Sequence, residues 1–423
     1  MQPAFAPVPT EATTMSRRMS RGVETARAIK VDREAYTAFM LDAEASRLSV
    51  EDFRHLLMSA VLSGASDVTF QPDQPPRAEI HGVLYRAMRK ALAPSDVDMI
   101  LMETYGGANA RTEINGQNVL DYSYELNLPD GGRQRFRVNA TGIFGRDGQG
   151  VEITMRALPS QTPDLEMVQI DDSEIEALTP KDGIVVIAGA TGSGKSTTMA
   201  AVTRYHLENS IRPVKIVDVQ APIEYTFRDV TSRMDGSPSI IGQSEVGRHI
   251  RSFADGVHSA LRRKPNIINV GEARDFETIS ASMEASLTGH LVYTTTHSDS
   301  VSATIRRLLT TFPGSERESR AYDLISAMRF LMVQHLVPRA DRPGRVPLRE
   351  YLRFTDRVRE KLLSRPIGDW PAILNHEVAE PAGDSGPEDL RMCLRDVSRR
   401  YYRKGIISRQ DALRIGGIGA IEE

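Results

Sequence analysis

The chain has 423 residues, 40% hydrophobic and 26% charged, with a formal net charge of −3, an ordinary globular make-up with room for two or three cores. That balance gives no global argument for nucleic acid or an acidic surface as partner. The single cysteine, Cys393, excludes an intramolecular disulfide framework and a cysteine-based zinc site, and suits a reducing compartment; no apolar run approaches the roughly 18 residues of a membrane helix.

Residues 1–14 are rich in Pro, Ala and Thr, without the basic start and apolar core of a signal peptide. A basic stretch without aromatics follows at 15–21, and residues 1–46 together read as a poorly ordered arm, either solvated or touching a neighbouring subunit or acidic surface. From Ser49 the pattern becomes regular. Ser49 and Asp52 form a capping signature before Phe53, Leu56, Leu57, Ala60 and Val61, apolar positions at helical spacing, and Gly64 ends the helix. Short alternating segments at 67–70, 78–81, 83–85, 122–126, 134–138 and 151–155 read as strands, interrupted by a helix at 94–105. Turn chemistry at 72–76 and 129–132 separates them, so residues 47–159 are expected to form a small α+β domain with an antiparallel sheet. A Pro-bounded linker closes it at 160–163.

Between 164 and 352 apolar strands at 184–188, 214–219, 267–270 and 291–295 alternate with helical stretches, the signature of a doubly wound α/β sheet. Beyond 352 the chain reads as helical and charged through 423, with a hinge at 377–388 and a last helix near 389–404.

The strand at 184–188 runs directly into Gly189, Ala190, Thr191, Gly192, Ser193, Gly194, Lys195, Ser196 and Thr197, and then into a stretch suited to a helix. Strand, glycine loop and helix form the context in which G-x-x-x-x-G-K-[ST] is a phosphate cradle. Gly192 and Gly194 let backbone N–H groups turn toward an anion at a helix N-terminus. Lys195 reaches the β- and γ-phosphates, and the Ser196 hydroxyl is placed to ligate Mg²⁺. The expected ligand is therefore ATP with Mg²⁺. Further along, Glu224 follows the second strand, Glu272 follows the third, and His290 and His297 flank the fourth. An acidic residue directly after an apolar strand is where a P-loop enzyme carries its Mg²⁺-side carboxylate.

In these runs the chain resembles the PilT-like secretion and pilus motor ATPases over about residues 49–350. The counterparts are 189–197 for Walker A, 221–225 for the aspartate box, 267–275 for an atypical Walker B and 288–297 for the histidine box. The Gly271-Glu-Ala-Arg-Asp275 text and the Ala-Pro-Ile-Glu box are most similar to the DotB/TraJ ATPases of type IVB secretion and conjugation. The resemblance implies a PAS-like N-terminal domain, a RecA-like P-loop domain at 164–352 and a C-terminal helical extension at 353–423. It implies that Glu224 deprotonates the attacking water, Glu272 holds Mg²⁺ and His297 senses the γ-phosphate. His290 is either a second nucleotide-side histidine or structural. Arg135, Arg137 and Arg156 are either arginines offered to a γ-phosphate across an interface or surface charge. The implied assembly is a homo-oligomeric ring of six, cytoplasmic and recruited to the inner membrane by components of a secretion, conjugation or pilus apparatus. One departure stands out: Gln220 and Ala221 occupy positions where the family usually carries Glu and Asp. Two alternatives stay open: a DNA-translocating ring with footholds at 262–264 and at Arg306 and Arg307, and a nucleotide-gated platform with little turnover. Without aromatic residues between the basic groups, nucleic acid is not the expected direct ligand.

Overall fold

The computed structural model describes residues 28–127, 132–146, 148–209, 212–232, 238–380 and 390–422. Its two compact units divide between Ser160 and Gln161. Residues 1–27 of the expected arm, the turn centred on 129–131 and most of the expected hinge, 381–388, lie outside the described residues.

In the first unit β1 (Ala65–Phe70), β2 (Arg77–Ile80), β3 (Val83–Arg86), β4 (Leu120–Asn127), β5 (Arg133–Ile143) and β6 (Gly150–Ala157) form one antiparallel sheet in the order β3-β2-β1-β6-β5-β4. Alternate residues of β4, β5 and β6, among them Tyr122, Tyr124, Phe136, Val138, Ile153 and Met155, are buried in a core that also takes Phe53, Leu56, Ile100 and Leu101 from the helices Val50–Leu62 and Pro94–Tyr105. That is the period of a sheet with one covered face. The first helix starts on the expected box, with Ser49 Oγ accepting the Asp52 N–H at 3.0 Å and Asp52 Oδ2 accepting the Ser49 N–H at 3.2 Å. The end of the expected arm behaves differently. Ala38, Met40 and Leu41 are core residues, and the Ala38 and Met40 amides donate to the carbonyls of Arg86 and Ala87 beside β3. Irregular chain with backbone partners carries no periodicity, so its sequence reads as tail.

The second unit holds a sheet in the order β14-β13-β12-β7-β11-β10-β8-β9. β7 (Gly183–Ala188), β8 (Lys215–Gln220), β9 (Ile240–Glu245), β10 (Ile267–Val270), β11 (Leu291–Thr296) and β12 (Met328–Pro338) are parallel; β13 (Arg345–Arg353) and β14 (Arg391–Met392) extend it antiparallel. Successive residues of β7 go to opposite layers: Ile184, Val186 and Ala188 into one core, Val185 and Ile187 into the other. Helices on both faces leave β7 buried throughout, which is why it reads as an unbroken apolar run. The expectation of four strands understated this sheet. β12 follows the helix Arg317–Ala327 with no Gly or Pro between them, so periodicity alone does not mark the change.

Beyond 352 the region is not all helix. β14 pairs with β13, and Glu377, expected at the start of a hinge, is fully buried in the helix Trp370–Ala379. Arg357, Lys361 and Arg391 all reach its carboxylate, which compensates the buried charge. Helices Leu394–Arg403 and Arg409–Gly416 and the turn between them cover Val337, Val346 and Leu348 with Val397, Ala412 and, from the turn, Ile407. Cys393 caps this segment, buried, with its thiol donating to Asp396 Oδ2 at 3.0 Å. Among the described residues no helix is long and apolar enough to cross a membrane.

Candidate nucleotide site

The loop after β7 wraps because its glycines adopt backbone angles closed to other residues. Gly189 has φ +146° and Gly194 has φ +85°. A Cβ on Gly189 would overlap the Gln334 carbonyl oxygen, and one on Gly194 would sit 2.9 Å from Gln334 Nε2. The helix Lys195–Glu208 starts immediately behind, so its first amides face the loop. Lys195 is buried, and its ammonium donates to the carbonyls of Gly189 and Ala190, both at 2.9 Å. Burial lowers its pKa, while the charges of Glu272 and Glu224 oppose that shift. Both glutamates therefore lie within electrostatic reach of the lysine.

Parallel pairing brings the other motifs to the same edge. Ala188 is in register with Thr296, and Val270 with both Thr294 and Val219, so the residues that follow β7, β11, β10 and β8 emerge together. The carboxyl ends of strands in an open α/β sheet are where such folds place ligands. His297 Nε2 lies 3.6 Å from Glu272 Oε1, and Arg274 Nη1 lies 4.0 Å from Glu272 Oε2. Burial lowers the His297 pKa, the Lys195 charge adds to this, and Glu272 opposes it. Glu224 and Ser196 line one small cavity together, and Tyr225 beside Glu224 shares a 3.0 Å hydrogen bond with the Thr197 hydroxyl. Arg306 and Arg307, weighed above as nucleic-acid footholds, line a concavity with Ala190 and His297.

A buried polar column backs the loop from β12 and β13. Gln334 Nε2 donates to the Ser193 carbonyl at 2.6 Å, and its Oε1 accepts from the Thr198 hydroxyl at 3.0 Å and from Arg349 Nε at 2.9 Å. Arg349 donates onward to the carbonyls of Val168 and Gln169 and lies 3.6 Å from Glu174 Oε2. Polar residues inside an otherwise apolar strand were the available signal for Gln334.

Lys195, Ser196, Glu224, Glu272 and His297 thus come together at one edge. His290 does not join them. It precedes β11 while His297 follows it, a separation of about 20 Å for a strand of this length. Its Nδ1 lies 3.0 Å from the Ala285 carbonyl oxygen, in the turn after the helix Phe276–Leu287. The three arginines belong to the first unit. Arg137 and Arg156 face each other across β5 and β6, paired with Asp121 and Asp67. Arg135 is buried, with its Nε 3.9 Å from Glu125.

A glycine loop with a buried lysine, carboxylates after neighbouring strands and a histidine beside them define a P-loop ATPase. Residues 43–368 match the family model for the type II/IV secretion system protein. The type IV pilus retraction ATPase PilT of Pseudomonas aeruginosa is 29% identical over 85% of this chain and 97% of its own length. The structure of the Legionella pneumophila ATPase DotB superimposes with a TM-score of 0.78 at 36% identity, covering 90% of this chain and 98% of that one. The pilus retraction motor PilT with bound ADP gives 0.71 at 27% identity, covering 87% and 97%. The chain belongs to the type II/IV secretion system protein family. It is a nucleotide-binding motor ATPase of the secretion and pilus class.

Proposed function

We propose that the chain assembles into a closed ring of six copies and couples hydrolysis of Mg²⁺-bound ATP to rigid-body movement. The work serves a secretion, conjugation or type IV pilus apparatus at the inner membrane, which the ring reaches from the cytoplasm through partner proteins. Likeness over nearly the whole length of DotB and PilT supports this reading.

The chain's own groups fit a magnesium nucleotide. The loop amides converge at a helix N-terminus, Lys195 is already desolvated, and Ser193 Oγ is buried without a hydrogen-bond partner among the described residues. Lys195 would exchange two loop carbonyls for phosphate oxygens. Ser196 and Glu272 would hold the metal, which supplies charge neutralisation on the phosphate oxygens when bound. Glu224 would take the proton of the attacking water, and His297 would sense the γ-phosphate. Arg135, Arg137 and Arg156 would offer positive charge across a ring interface. Arg156, with 62% of its side chain exposed, has the least burial to give up.

The observation that carries this reading is the convergence of Lys195, Ser196, Glu224, Glu272 and His297 at one sheet edge. Steady-state hydrolysis and ATP binding by purified variants test it. Lys195→Ala is expected to abolish both. Glu224→Gln is expected to lower turnover by roughly 10²–10⁴-fold, the usual worth of a general base, while ATP stays bound. Undiminished hydrolysis in Glu224→Gln removes Glu224 from the base role.

A further inference from the structure

A row of polar side chains crosses the sheet one pleat behind the phosphate site. Gln243 on β9, Asp218 on β8 and Asn269 on β10 are in register. Asn269 Nδ2 continues the row to Thr203 Oγ1 of the P-loop helix at 2.9 Å. Asp218 is only 2% exposed, between Val217 and Val219 on a strand covered on both faces. Among the described residues no cation pairs with it. Its oxygens instead accept amide N–H groups: Oδ1 from Gln220 Nε2 and Oδ2 from Gln243 Nε2, both at 2.7 Å. Gln243 Nε2 also donates to the carbonyl of Tyr225, next to Glu224, at 2.9 Å.

A carboxylate is an acceptor only, so it fixes which end of each amide faces it. With Nε2 turned to Asp218, Gln220 directs Oε1 the other way, against Gly271; a Cβ on that glycine would lie 2.6 Å from the oxygen. Glu272 is the next residue. Asp218, Gln220, Asn269, Thr203, Ser196 and Glu224 line a common cavity of ≈ 20 Å³, room for one water. Asn269 Oδ1 is buried there without a hydrogen-bond partner among the described residues, which is the sign of a site that takes a donor.

We infer that Asp218 is a positioning residue for ATP hydrolysis. It holds Gln220 with Oε1 toward the Gly271–Glu272 turn, where that acceptor and Asn269 Oδ1 order a water beside Glu224. Gln220 can hold a water but cannot take its proton, so the base remains Glu224, and the inference rests on that assignment. A buried charge, Asp218, therefore stands two residues before Gln220, on the same face of the strand. It acts by orientation, through the Gln220 amide.

The test uses the full-length protein, with steady-state hydrolysis of Mg²⁺-ATP read beside thermal unfolding. Asp218→Asn frees the Gln220 amide to turn over; kcat is expected to fall roughly 10–100-fold with KM little changed and no loss of thermal stability. The double variant Asp218→Asn with Gln220→Glu reverses the hydrogen bond and keeps the charge, and is expected to regain most of that turnover. A wild-type kcat in Asp218→Asn, or a deficit that the double variant leaves unrepaired, overturns the inference. Should Asp218→Asn fail to fold, Gln220→Met leaves the carboxylate in place and is expected to show the same kcat loss; full activity there is equally fatal. Glu224→Gln run in parallel separates the two failures. If it still turns over, the base assignment and the inference resting on it fall. If it stops while Asp218→Asn does not, only the inference falls.

Discussion

The P-loop strand β7 has unlike neighbours on its two sides. Toward β12 and β13, buried polarity is charge-compensated: Arg349 meets Glu174, and Gln334 passes their order to the Ser193 carbonyl. Toward β10 and β8, a carboxylate of similar burial has side-chain amides and, among the described residues, no cation as its partners. The first arrangement is a scaffold, because neutralised charge is rigid and indifferent to what binds. The second keeps an uncompensated charge one pleat from the chemistry, where it fixes the orientation of a neutral side chain.

Breaking the compensated side should have the largest effect on stability. Arg349→Ala leaves Glu174 buried without its cation and is expected to cost about 3–5 kcal/mol in chemical denaturation. Replacing Glu174 and Arg349 together by Met is expected to recover most of that loss; equal stability of Arg349→Ala and wild type would show that the column bears no strain of its own. Gln334→Leu comes next. Losing the bond to the loop backbone is expected to weaken ATP binding by about 1–1.5 kcal/mol, roughly tenfold in Kd, read by titration with a fluorescent nucleotide. Unchanged affinity would make Gln334 a packing residue.

The uncompensated side should reveal itself through pH. Burial raises the Asp218 pKa above 3.8, while hydrogen bonds from the side chains of Gln220, Gln243 and Asn269 oppose it. Its stabilising contribution is therefore complete below that unfolded value and is lost as pH rises through the folded one. Unfolding free energies of wild type and Asp218→Asn are expected to diverge in favour of the variant as pH rises above 3.8; parallel curves would contradict the uncompensated charge. The smallest effect belongs to His206 on the P-loop helix, which burial holds neutral with its pKa lowered to about 4. Below the unfolded value of 6.5 the unfolded chain takes up a proton that the folded one refuses. Stability should fall between pH 6.5 and about 4, and His206→Phe should flatten that limb, measured by urea unfolding at several pH values.

What the sequence disclosed was local. The loop from Gly189 to Thr197 carries its own geometry, and Glu224, Glu272 and His297 stand within four residues of the ends of apolar strands, so adjacency in the chain was enough to bring them together. The two histidines show the limit of that logic. His290 and His297 bracket the same strand, yet only one end of a parallel strand faces the ligand, and the polarity of β11 decides which. The row of Gln243, Asp218 and Asn269 depends on register between strands 25 and 51 residues apart (243 − 218 and 269 − 218), which no pattern within a segment records. The same holds for the burial of Ala38 to Leu41 and for Gln334 behind the loop. Each is legible only when distant strands have been aligned.

The sole thiol of the chain has a practical consequence. Cys393 is buried, and its pKa is raised by burial and then by Asp396, so little of the reactive thiolate exists at neutral pH. A cysteine engineered onto the surface would therefore be the only site open to maleimide dyes. Spectroscopic rulers could then follow conformational motion without first mutating the native sulfur away.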